Sequence, residues 1–63
     1  MSADLINQSP YQFSYDVTSD FKINFITWFQ LNTEERSAYQ EKPYNPVEGL
    51  EVFREMYGNY EEK

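Results

Sequence analysis

The sequence predicts an α+β fold: an antiparallel β-hairpin over about residues 11–17 and 21–29, then short helices over about 33–41 and 46–57. Two observations lead there. Tyr11, Phe13, Tyr15 and Val17 alternate with Gln12, Ser14 and Asp16, and the alternation resumes with Phe21, Ile23 and Phe25 against Lys22 and Asn24. Further on, Asn45-Pro46 precedes an apolar stripe with helical spacing.

Each element has its own warrant. A period of two in aromatic and β-branched residues suits a half-buried strand. Placing Val17 opposite Phe21 sets every apolar residue of both runs on one face, and sets Asp16 opposite Lys22 on the other. Thr18-Ser19-Asp20 is the connection, although it lacks a glycine. Phe21, Phe25, Trp28 and Phe29 also fit a helical stripe. The alternative is therefore a mainly α chain with residues 20–31 helical. Asn32 or Thr33 is the expected cap of the first helix, with Glu34 and Glu35 in its first turn and Tyr39 turned inward. Lys42-Pro43-Tyr44-Asn45-Pro46 ends it. Asn45 and Pro46 open the second helix, Val47, Leu50, Phe53 and Tyr57 form its buried stripe with Met56 alongside, and Gly58 closes it. Gly49, inside that helix, suggests close approach of another backbone.

The organisation expected is a flexible arm over 1–9, one small domain over 10–58 and a frayed tail over 59–63. A chain of 63 residues is short for a stable core. With no cysteine and no histidine, disulfides and thiolate or imidazole metal sites are excluded. Six tyrosines, five phenylalanines and one tryptophan are a large aromatic supply for packing or for an interface.

The net charge of −6 argues against direct nucleic-acid binding and against anionic membrane surfaces, and favours a basic partner. No apolar run has the length of a membrane span, and residues 1–8 lack the basic start and apolar core of a secretion signal. The expected compartment is the cytoplasm, or a host's cytoplasm if the gene is phage-borne.

Catalytic constellations are missing. Acyl-transfer triads need a base, usually histidine, and two isolated glycines make no phosphate-binding loop. Asp16 and Asp20 flank the turn without resembling a calcium loop. No enzymatic activity, metal or cofactor is expected.

The candidate partner-binding residues are Glu48, Glu51, Glu55, Trp28, Tyr44 and Tyr60. The three glutamates stand three and four residues apart and share one helix face, and Glu34, Glu35 and Glu41 extend the negative field. Such a row imitates phosphates, as a DNA mimic does, although Arg54 partly neutralises it. The plainer reading of the same row is a solvated helix face. The aromatic residues supply large, rigid contact area; Trp28 points away from the odd-numbered hairpin face, and Tyr44 lies in a proline-stiffened loop. Together these indicate a small acidic protein-binding module. It would inhibit or modulate a larger, nucleic-acid-processing protein with a basic or apolar-pocketed surface. Viruses and other mobile elements use chains of this size and composition in that way. The alternative is a self-associating subunit, a homodimer joined through strand edges.

Overall fold

The chain is described by a computed structural model covering residues 11–61. The arm expected over 1–9 lies outside the described residues. The described part contains two α-helices, α1 (Phe21–Ala38) and α2 (Pro46–Tyr57), followed by a 3-10 turn over Gly58–Tyr60. No strand forms among these residues, so the hairpin, and with it the α+β class, is overturned. Helix α1 absorbs the expected second strand and residues 33–38 of the expected first helix, whose last residues, 39–41, are not helical. The mainly α alternative is closer, although α1 spans 21–38 rather than 20–31. Helix α2 has the bounds expected of it.

The choice between strand and helix turns on Ile23 and Asn24. A strand would bury Ile23 and expose Asn24. In the structure Ile23 is 52% exposed and Asn24 only 3%. The Asn24 amide grips the preceding turn. Its Oδ1 accepts from the Asp16 N–H at 2.7 Å, and its Nδ2 donates to the carbonyls of Asp16 at 3.0 Å and Asp20 at 2.9 Å. A buried amide is tolerated when it is satisfied in this way. Asp16 does not reach for Lys22. Its carboxylate accepts from the Thr18 N–H, the Thr18 hydroxyl and the Ser19 hydroxyl, closing a tight turn. Those donors hold the Asp16 carboxyl below its usual range. Asn32 and Thr33, expected as caps, sit inside α1 instead. Asn32 Oδ1 and Thr33 Oγ1 are buried without a hydrogen-bond partner, a cost of about 1–3 kcal/mol for each such group.

Phe53 of α2 is the centre of the core and is fully buried. Around it stand Phe21, Phe25 and Trp28 of α1 at centroid distances of 5.1, 5.6 and 5.4 Å. Tyr57, one turn further along α2, lies at 5.0 Å. Phe13 and Tyr15 complete the shell at 6.0 and 6.2 Å. Burial along residues 11–16 does alternate, with Tyr11, Phe13 and Tyr15 half-buried and Gln12, Ser14 and Asp16 exposed. The alternation belongs to an irregular strap laid over α2, not to a hydrogen-bonded strand.

The connection 39–45 is pinned to α1 by Arg36. Its Nε donates to the Lys42 carbonyl at 2.8 Å, its guanidinium lies 4.3 Å above the Tyr44 ring, and it pairs with Glu41 at 3.7 Å. Tyr39, expected inward, is 67% exposed because α1 ends at Ala38 and the chain turns there. The turn needs a left-handed residue, and Gln40 supplies it at φ 62°. The Gln40 N–H bonds to the Ser37 carbonyl and the Glu41 N–H to the Arg36 carbonyl. Glycine favours that conformation. Gly58, by contrast, closes α2 in right-handed geometry, with φ −59°.

Helix α2 starts on a complete capping box. Asn45 Oδ1 accepts from the Glu48 N–H, and the Glu48 carboxylate accepts from the Asn45 N–H. Of the expected stripe, Phe53 is buried and Leu50 and Tyr57 half-buried, whereas Val47 and Met56 are exposed. A side chain, not a backbone, approaches Gly49. A Cβ there would lie 2.5 Å from Phe29 Cε1 and 2.6 Å from its Cδ1.

Two stability predictions follow from these backbone positions. Gly49→Ala should destabilise by about 1–3 kcal/mol, because overpacking against Phe29 outweighs the gain in helix propensity of about 1 kcal/mol. The added change Phe29→Leu should recover part of the loss in urea denaturation. Gln40→Gly should raise the urea midpoint, by about 0.5–1 kcal/mol in stability, as the left-handed strain is removed.

Candidate functional site

Two surfaces gather the chemistry-bearing residues. The first is the outer face of α2, where Glu48, Glu51 and Glu55 are all exposed. Glu48 is partly committed to the capping box. Arg54 does not neutralise the row. Its guanidinium forks onto Glu61, with Nη2 to Oε2 at 2.7 Å and Nε to Oε1 at 3.0 Å. Glu51 and Glu55 therefore face solvent without that counter-charge. On α1, Glu34 is also exposed, while Glu41 is held by Arg36.

The aromatic candidates are scattered. Trp28 is 7% exposed and packs on Phe53, so it has almost no surface to offer a partner. Its apparent outward direction belonged to the strand register and disappears with it. Tyr44 is half-buried under Arg36. Tyr60 is 37% exposed and stacks on Tyr15 at 4.2 Å. Within the segment expected to fray, Tyr60 and Glu61 thus have specific partners. The structure does not bring Trp28, Tyr44 and Tyr60 to one patch. Other apolar side chains reach solvent instead: Val17, Ile23, Ile26, Tyr39, Val47 and Met56.

The second surface is a cleft of about 270 Å³ where the start of α1 meets the 3-10 turn that follows α2. The rings of Tyr15, Phe21 and Tyr60 line it, together with the turn from Val17 to Asp20 and with Glu61. Asp20 is the N-terminal boundary residue of α1, yet its side chain makes no capping hydrogen bond. Burial, the neighbouring Tyr60 phenol and the Asp20 carboxylate all push the Tyr15 phenol up. The hydrogen bond from Arg54 holds the Glu61 carboxyl low. Sequence reasoning missed this cleft. The signal was Ser19-Asp20 before Phe21, a helix start that the hairpin reading took for a turn.

Among the described residues, no cluster of three acidic, histidine or cysteine side chains could hold a metal ion. No described helix is long and apolar enough to cross a membrane. No protein-family model, curated protein or solved structure matches the chain.

The Arg54–Glu61 fork carries a pH dependence. Because the folded Glu61 carboxyl sits below its ordinary value of 4.5, its contribution to stability is full above that value and is lost as pH falls through the folded one. Arg54→Gln should bring the Glu61 titration, followed by NMR, back up toward the ordinary value. The difference in thermal midpoint between the two proteins should close in acid.

Proposed function

We propose that this chain is a small non-enzymatic protein-binding module that docks on a basic surface of a larger protein and modulates it. The reading is supported chiefly by the α2 row: Glu51 and Glu55 are exposed, and Arg54, the nearest cation in sequence, is bonded elsewhere. A negative field of this kind accelerates encounter with a positive partner and aligns it. Exposed Val47 and Met56 on the same helix add apolar contact. A nucleic-acid-processing enzyme is the partner class whose surface best complements such a field, since it is built to receive phosphates. The aromatic candidates support docking less well, because Trp28 is buried, Tyr44 half-buried and Tyr60 stacked on Tyr15.

The test is paired affinity capture from cell lysate with the wild type and with Glu51→Lys/Glu55→Lys. Both side chains are exposed, and among the described residues neither carboxylate makes a hydrogen bond or ion pair, so the fold should be unchanged by circular dichroism. The expected outcome is a partner released from the wild type by moderate salt, with association by the variant slowed on the order of tenfold. Equal capture by both proteins sinks the acidic-row mechanism. Recovery of self-copies alone sinks the modulator reading and favours a self-associating subunit. Such association could not proceed by strand pairing among the described residues.

A further inference from the structure

The cleft between the start of α1 and the 3-10 turn after α2 has the composition of a receptor for an organic cation. Its walls are aromatic: Tyr15, Phe21 and Tyr60. No lysine or arginine is among its lining residues. Its acidic groups are not equivalent. Glu61 is neutralised by the Arg54 fork. Asp20 lines the cleft and makes no capping hydrogen bond. An aspartate at the start of a helix ordinarily turns back to accept from the first backbone N–H groups. Here the Asn24 amide and the Asp16 turn hold that end of the helix, and the hydrogen-bonding capacity of the Asp20 carboxylate is not used for capping.

The surrounding charges favour the same ligand. The start of α1 contributes a partial positive charge of about half a unit, which the full charge of Asp20 exceeds. The Tyr15 and Tyr60 rings stack at an interplanar angle of 17°. Aromatic faces attract a guanidinium or ammonium. The molecule already contains one such contact, Arg36 over Tyr44 at 4.3 Å. A volume of about 270 Å³ holds a single side chain and little more.

We propose that this cleft binds one arginine side chain of the protein partner, with Asp20 as its anionic anchor and the half-exposed Tyr60 ring, backed by its stack on Tyr15, as its aromatic wall. The inference rests on the partner-binding reading above and adds a specific subsite at a distance in sequence from the α2 row. Asp20 supplies the charge, and Tyr60, at the exposed edge of the Tyr15 stack, supplies contact area. Phosphate is the competing ligand, because it would use the free N–H groups of the helix start instead.

The experiment is an NMR titration of the full ¹⁵N-labelled chain with N-acetyl-arginine amide, using the neutral citrulline analogue and inorganic phosphate as controls. Saturable shifts confined to Tyr15, Val17–Phe21, Tyr60 and Glu61 are expected, with a dissociation constant on the order of millimolar for so small a probe. The citrulline analogue should give no saturable shifts. Asp20→Asn keeps a good helix-start residue and should fold normally, yet weaken the arginine probe at least about fivefold. Equal binding of citrulline, unchanged binding by Asp20→Asn, or shifts produced by phosphate alone would each overturn the proposal. No probe is partner-dependent, so a silent cleft beside a successful affinity capture would remove this subsite and leave the module reading standing.

Discussion

Everything in this fold depends on one ring. Phe53 has no exposed surface, and its aromatic neighbours come from the strap, from α1 and from α2 itself. Only Trp28 joins it as a buried hydrophobic residue among those described. A core this thin gains little from burial alone, so the geometry of its ring pairs matters. Edge, tilted and stacked contacts between 5.0 and 6.2 Å surround Phe53, and such pairs add roughly 0.5–1.5 kcal/mol each beyond area burial. Because three segments meet at one side chain, none of them has an independent core.

The second half of the chain was legible in the sequence, and the first half was not. Helix α2 announces itself locally: Asn45 and Pro46 set its start, Glu48 completes the cap, and the Leu50-Phe53-Tyr57 stripe sets its inward face. Local signals suffice there because the capping chemistry lies within four residues. In α1 the two periods share Phe21 and Phe25, which suit a strand and a helix alike. The adjacent Trp28 and Phe29 break the alternation and favour the helix, whereas Ile23 and Asn24 favour the strand and mislead. The buried residue is the polar one, and its burial makes sense only once the Asp16 turn it satisfies has formed. Tertiary contacts here override a composition rich in β-branched and aromatic residues.

The candidate site divides in the same way. The exposure of Glu51 and Glu55 follows from helix periodicity once α2 is recognised. The loss of Arg54 as their counter-charge does not, since Glu61 comes within reach only through the 3-10 turn after α2. A strand register sends Trp28 outward, to an interface; the helix sends it into the core. The Asp20 cleft joins segments from opposite ends of the chain, which no linear pattern displays.

The stack of Tyr15 on Tyr60 brings opposite ends of the described chain within 4.2 Å. The helices are joined by a short, pinned connection, whereas this contact closes most of the described residues into a loop. Closure entropy rises with loop length, so this contact is more demanding to close than the one between the two helices. Release of residues 11–15 alone would uncover one side of Phe53 while leaving the Asp16 turn bonded to Asn24 of α1. Amide exchange would then be fastest in the strap, and the aromatic core would be reachable by solvent without global unfolding.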